Sequence, residues 1–402
     1  MKKINITRQL SIIAMFCNSL FAQINVSAVN VIPIAKNVSI NNPVWSIDSK
    51  HIAFETLSEN QQEKLIYLYQ IGSKEIAKPI MKNIGSGNSL IPATIETSSR
   101  LPSWSTTDQS TIYFLYNEYK DRFMGKLNKI KYSQLPLEFK YSEKIFDDIK
   151  QESGISEYHI ISYKETDVIF LRQQNSPEKI EYTYKNKRLK IFPNLDKELE
   201  KTEDINSFSL SEDGTRIIIC KGQSKHEMFL WGEFEINNSG RISETINFFK
   251  IPIKRLKNGV IIEPSFNPVN HDMIAYLEMV EAHIYYLHFQ SLSSDSNQAT
   301  LLTENLYRNV QNQISRPNST NYVWHPNGDY IFYITTDAKR NVAYIDLKNL
   351  KHPKVKNLET GIEFAEQISI SPNGKYLAVM TQIADGDNTD ALGQLFIIEL
   401  TY

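Results

Sequence analysis

Cysteine is nearly absent: the 402 residues hold two, Cys17 and Cys220. With Cys17 in the N-terminal leader-like stretch, no disulfide framework can form within the rest of the chain, and Cys220 stands alone on a strand-like run. Histidine is sparse as well, eight in all. His283 and His288 are five apart on strand-like sequence, which sends them to opposite faces, so they make no metal site unaided. His51, His271 and His325 fall within turn sequences. No Cys-x-x-Cys, His-Glu-x-x-His, Gly-x-Ser-x-Gly or phosphate-binding glycine loop occurs, which removes the common zinc, serine-hydrolase and nucleotide signatures. No helical periodicity of useful length appears. Glycine is modest at 15 residues, so some turns must use Asn or Asp instead.

Long apolar runs are missing too, apart from Leu10–Phe21. That stretch follows Lys2, Lys3 and Arg8 and is interrupted by Ser11, Asn18 and Ser19. It is too short and too broken for a transmembrane helix, and it reads as a signal peptide over residues 1–22, cleaved after Ala22. Cys17 raises the question of a lipid anchor, but Phe16 stands where a lipobox carries a small residue. The expected location is periplasmic, secreted or at the cell surface. Removing residues 1–22 takes away three basic residues and no acidic one, leaving 41 against 46 and a net charge of −5. A mildly acidic body argues against nucleic acid as a partner.

What is present is a repeat. Seven times a short strand runs into a turn and then into a new hydrophobic strand, with aligned anchors at Trp45, Trp104, Ile161, Leu210, Phe266, Trp324 and Ile370. The steps between them are 59, 57, 49, 56, 58 and 46 residues, a period that signals a repeat array. In Trp324-His325-Pro326-Asn327-Gly328 the proline presets φ and Asn-Gly tolerates φ > 0, so two strands reverse tightly. Ser371-Pro372-Asn373-Gly374 repeats this turn, Ser211-Glu212-Asp213-Gly214 keeps Asp-Gly, and the copy after Ile161 is the most degenerate.

After each turn comes a run suited to a buried strand, such as Ile112-Tyr113-Phe114-Leu115 or Ile331-Phe332-Tyr333. A third strand follows, and often a more polar fourth. The fold class expected is all-β, a β-propeller of four-stranded antiparallel blades in a single domain over 23–402. Seven blades fit best. Six would require an insertion of about 50 residues between Trp104 and Leu210, long for a structureless loop. Residues 29–36 are then available as the fourth strand of the last blade, pairing with the C-terminal strand 394–400.

Pro43-Val44-Trp45-Ser46, Pro102-Ser103-Trp104-Ser105, Trp324-His325-Pro326-Asn327-Gly328 and Ile370-Ser371-Pro372-Asn373-Gly374-Lys375-Tyr376-Leu377-Ala378 resemble the repeats of the TolB-like and WD-type β-propellers. The resemblance covers about residues 30–402. It implies a propeller and says little of function, because one scaffold hosts many activities; the first repeat begins within about 20 residues of the expected mature start and the last ends near Tyr402, so neither the α/β domain of TolB nor an appended catalytic domain is expected.

Ligands of propellers meet the faces and the central channel, lined by the innermost strands and the loops entering them. The positions just before the anchors are Asn42, Arg100, Glu157, Asn206, Glu263, Asn321 and Glu366, an acidic and amide-rich ring with one arginine. These are the candidate ligand-binding residues; the competing reading is a hydrated channel wall. Asp385, Asp387 and Asp390 form a weak candidate calcium loop without the glycine and distal glutamate of an EF-hand, and a plain polar hairpin loop competes with it. No catalytic residue and no obligate cofactor is expected. Two function classes remain: a non-catalytic scaffold that holds a protein or cell-envelope partner, which is preferred, and a carbohydrate-active enzyme, lyase or glycosidase, using channel carboxylates. A monomer is expected.

Overall fold

A computed structural model describes residues 23–34, 38–58, 64–82, 98–117, 126–131, 137–138, 143–144, 155–173, 179–184, 187–190, 205–222, 228–242, 248–251, 259–281, 284–292, 299–308, 322–383 and 392–402. Asn321, Asp385, Asp387, Asp390 and the leader with Cys17 lie outside these residues, as do the side chains of Arg100 and Asn206. Among the described residues every regular element is a strand, and no helix is long and apolar enough to cross a membrane.

The strands make seven antiparallel blades of four. The innermost strands are Val38–Trp45, Ser98–Trp104, Ile155–Tyr163, Ile205–Leu210, Val260–Phe266, Tyr322–Trp324 and Ala365–Ile370, for blades 1 to 7. The second strands are the most hydrophobic and the most buried: Arg216–Lys221 in blade 4 and Tyr330–Ile334 in blade 6 have no exposed residue. Outer strands are short and polar, as in Lys354–Asn357. That gradient is what a blade requires, since its inner strands are covered on both faces while its last strand is an edge. Blades 1 and 2 are also linked by a parallel pairing of Lys64 with Ser98, and the short strands Met81–Lys82 and Leu137–Glu138 pair in parallel as well.

Seven separate hydrophobic clusters replace a single core, each made by two neighbouring blades. One joins blades 3 and 4 through Ile161, Phe170, Phe208 and Ile219; another joins blades 7 and 1 through Trp45, Phe54, Met380 and Ile397. Each fully buried Phe or Ile side chain contributes on the order of 1.5–3 kcal/mol, so stability is spread round the ring, junction by junction.

Blade 7 is closed by the N-terminal strand, Asn25–Val31, which runs antiparallel to Leu392–Thr401. This is earlier than the stretch 29–36 expected from sequence. Pro33 lacks an amide to donate, and its carbonyl instead accepts the Ala77 amide at 3.0 Å, so the chain has already left blade 7 for blade 1. Ile24, just ahead of the strand, is 2% exposed within the junction of blades 6 and 7.

Candidate functional site

Three of the turns after inner strands, in blades 1, 4 and 7, use the same hydrogen-bond relay. In blade 7 the Tyr376 amide donates to Ser371 Oγ at 2.9 Å, and that hydroxyl donates to Asn373 Oδ1 at 2.8 Å. Ser46 with Asp48 and Ser211 with Asp213 repeat it. In blade 6, His325 takes the serine's place, with Nδ1 2.6 Å from Asn327 Oδ1. The relay satisfies turn amides that would otherwise lack a partner, and it holds each of these turns closed.

The turn glycines complete that fit. Gly214, Gly328 and Gly374 all have positive φ, and a Cβ on any of them would collide with the preceding blade, at Ile161, Asn267 and His325 respectively. Asn267 and His325 occupy the position immediately after their anchors. Ile161 therefore plays that role in blade 3, which makes Ile160 the structural anchor, one residue before the position chosen by spacing. A second relation agrees: Tyr158 donates to the Tyr113 carbonyl as Tyr322 does to the Ala275 carbonyl, two residues ahead of Ile160 and Trp324.

The three tryptophan anchors form a one-way chain of contacts. Nε1 of Trp45 donates to the Ser369 carbonyl at 3.1 Å, Trp104 to the Val44 carbonyl at 3.1 Å, and Trp324 to Ser265 Oγ at 2.9 Å. Each acceptor is the residue before the previous blade's anchor. Together these residues wall a cavity of about 440 Å³ on the channel axis, to which all seven blades contribute. Val44, Trp45, Trp104, Ile160, Val323, Trp324 and Ile370 supply its apolar surface, Ser103, Ser265, Ser369 and His159 its polar one, and Ile47, Thr106, Glu212, Pro268 and Pro372 its rim. Ile47 is 41% exposed, so the apolar wall continues onto the surface.

The ring proposed from sequence sits at the other end of the inner strands, where the ladder is interrupted. Register shifts occur between Asn41 and Val44, Arg100 and Ser103, Ile155 and Glu157, Ile205 and Ser207, Ile262 and Ser265, and Ala365 and Gln367. These bulges re-aim the side chains of the extra residues. At two of them a non-glycine residue before proline is left-handed, Asn42 with φ 51° and Glu263 with φ 51°, a conformation that costs roughly 1–2 kcal/mol each.

Four of the ring's side chains are described, Asn42, Glu157, Glu263 and Glu366, and each finds partners within the protein. Asn42 donates through Nδ2 to Glu55, and its amide donates to Gln367 Oε1 at 2.7 Å, tying blade 1 to blade 7. Glu157 is 2% exposed, with Arg172 Nε 3.1 Å from Oε2 and His159 Nε2 3.1 Å from Oε1. The Arg172 contact is a close ion pair and not an aligned hydrogen bond. Arg308 Nη2 pairs with Glu263, and Arg340 Nη1 with Glu366, which also accepts from the Tyr307 hydroxyl at 3.2 Å. Arg308 lies over the Tyr285 ring and Arg340 over Tyr307 and Phe364. Burial pulls the Arg308 guanidinium pKa down, but the Glu263 charge holds it above the ordinary value.

The three carboxylates Glu157, Glu263 and Glu366 are thus each held by a separate arginine, the first two within blades 3 and 5 and the third across blades 6 and 7. Among the described residues no group of three His, Cys, Asp or Glu side chains could hold a metal ion. The cavity wall was missed as a site because its residues were read as turn markers. Its signal was nevertheless visible: tryptophan recurs at three anchors, and a tryptophan on an innermost strand must border the channel.

By sequence the chain matches no family profile and no curated protein. Solved structures share its architecture. The β-propeller domain of Cps50 (Swd1) from Myceliophteria thermophila is 10% identical, with a TM-score of 0.50 over 93% of this chain and 100% of that one. Oligogalacturonate lyase from Vibrio parahaemolyticus is 8% identical, TM-score 0.51, over 94% and 98%. A prolyl endopeptidase is 11% identical, TM-score 0.52, over 91% of this chain and 47% of its own, so this chain spans about half of that enzyme's length. This protein is a seven-bladed β-propeller. At these identities the likeness is one of fold, and function must come from the site.

Proposed function

We propose that the protein is an exported, non-catalytic binding propeller that engages a protein or cell-envelope partner through the cavity at the turn end of its channel. The observation that carries this reading is the wall itself. Seven blades converge on one apolar, tryptophan-bordered well that opens to the surface through Ile47, Pro268 and Pro372, and an exposed apolar rim round a concave site marks an interaction surface. The ion pairing of Glu157, Glu263 and Glu366 supports the non-catalytic side. A glycosidase needs one carboxyl free to donate a proton and another free to attack or to activate water, whereas these are engaged by arginines.

A photo-crosslinking residue at Ile47, compared with one at Phe249 on an outer strand and 52% exposed, tests the reading in envelope preparations of the producing cell. Adducts are expected from Ile47 only, and are expected to vanish when Val323→Trp fills the cavity. Equal labelling from both positions would sink the proposed surface. Release of unsaturated or reducing sugars from polygalacturonate or a glycan panel by the purified chain would sink the non-catalytic reading. Export is tested by mass spectrometry of the secreted product, expected to begin at Gln23.

A further inference from the structure

The cavity's chemistry narrows what can enter it, and this step rests on the cavity being a protein-binding site. We infer that its occupant is a polypeptide segment bearing one apolar side chain flanked by basic residues.

The apolar centre follows from how the wall's hydrogen-bonding groups are used. The three indole N–H groups donate within the ring, to Ser369, Val44 and Ser265. The Tyr322 hydroxyl lies 2.6 Å from the Glu263 carbonyl. Ser105 Oγ accepts the amides of Thr107 and Asp108 at 3.1 and 2.8 Å, and His159 Nε2 faces Glu157. A sugar ring brings many hydroxyls that each need a partner on desolvation, and most of the wall's donors are already committed. Valine, isoleucine and tryptophan carbon remains, and an aliphatic or aromatic side chain loses nothing by meeting it. About 440 Å³ is room for one such side chain and its backbone, not for a folded element.

The basic flanks follow from the charge around the mouth. The seven turns, residues 46–51, 105–111, 161–167, 211–216, 267–273, 325–330 and 371–376, carry eight acidic side chains against four basic. Pairing occurs on both sides, Arg216 with Asp272 at 2.6 Å and Glu233 at 2.8 Å and Asp108 with Lys131 at 3.2 Å, and it leaves an acidic excess. Glu212 stands at the rim itself. Residues flanking an inserted side chain therefore pass over a negative collar, which favours lysine and arginine in the partner and makes association depend on ionic strength.

The test uses the full mature chain and three synthetic peptides: acetyl-Gly-Lys-Lys-Gly-Phe-Gly-Lys-Lys-Gly-amide, the same peptide with Ser for Phe, and the same with Glu for every Lys. Binding is read by calorimetry at about 50 mM and about 0.5 M salt. The Phe–Lys peptide is expected to bind about ten- to a hundredfold more tightly than the Ser–Lys peptide, and more tightly than the Phe–Glu peptide by a factor that shrinks in high salt. Ile47→Ser, a neutral surface change, and Val323→Trp, a cavity-filling one, should each weaken the Phe–Lys peptide at least about tenfold with an unchanged melting temperature for Ile47→Ser. Equal binding of the Phe and Ser peptides, or preference for the Glu peptide, overturns the inference. So does failure of all three peptides; if Ile47 cross-linking persists in that case, the binding reading stands and only the stated chemistry of the partner falls.

Discussion

The indole Nε1 of Trp45 donates to the carbonyl of Ser369, 3.1 Å away and 324 residues along the chain, so a side chain of blade 1 closes the ring against blade 7. Trp45 is also stacked on Tyr376, with ring centroids 5.9 Å apart. Trp45→Phe should keep most of the packing and lose the hydrogen bond, leaving a buried carbonyl short of a partner. The expected cost is about 1–3 kcal/mol, measured by urea unfolding.

The turn glycines should separate into two classes. Gly374 has φ +72° and packs on His325, whereas Gly72 has φ +78° with open space around a would-be Cβ. Gly72→Ala should cost about 1 kcal/mol, the conformational penalty alone. Gly374→Ala must in addition displace the imidazole, and its cost should exceed that of Gly72→Ala by about 1 kcal/mol or more in the same denaturation assay.

His325 should make the fold acid-sensitive. Burial lowers its pKa below the ordinary imidazole value, against the raising effects of Asn327, the Gly374 backbone and Asp329. A histidine whose folded pKa is depressed is protonated more readily in the unfolded chain. Its contribution is therefore intact above about pH 6.5 and falls as pH drops below it. His325→Ser restores the serine found in other repeats and should flatten the melting temperature between about pH 6.5 and 5. An unchanged slope would refute this.

Glu263 and Arg308, both about nine-tenths buried, should behave as a unit. Glu263→Gln removes the carboxylate facing Arg308 and is expected to cost about 3–5 kcal/mol. The double change Glu263→Leu with Arg308→Met, which removes both charges, should recover most of that loss.

How far the chain could be read in advance depended on the range of each interaction. Blade number and the Ser-Asp and Asn-Gly turns rest on local patterns repeated along the chain and were legible; closure by an N-terminal strand was legible too, though that strand is Asn25–Val31 and not 29–36. Blade 3 was found by spacing but misplaced by one residue, because its hairpin Tyr163-Lys164-Glu165-Thr166 has no Ser-Asp relay or glycine to fix the register. Lys164 and Glu165 reverse the chain there with φ of 47° and 57°, and sequence gives no cue for such a turn in Lys-Glu. Asn42, Glu157, Glu263 and Glu366 lie on innermost strands, yet their environment was not legible. The arginines that meet Glu157, Glu263 and Glu366 lie 15, 45 and 26 residues away, and bulges redirect the side chains. Prolines at 43, 102 and 264 were the available hint of those bulges.

The pairing of Asn25–Val31 with Leu392–Thr401 also sets an order of assembly. Six blades can be completed from consecutive stretches of sequence, but the seventh needs two stretches far apart in the sequence, so the ring cannot shut until both have been made. That contact joins residues 376 apart, Asn25 and Thr401, and carries a steep loop-closure entropy. Until then Leu392–Thr401 is an uncovered strand edge able to recruit a strand from another molecule, which makes the last seconds of folding the period of greatest aggregation risk.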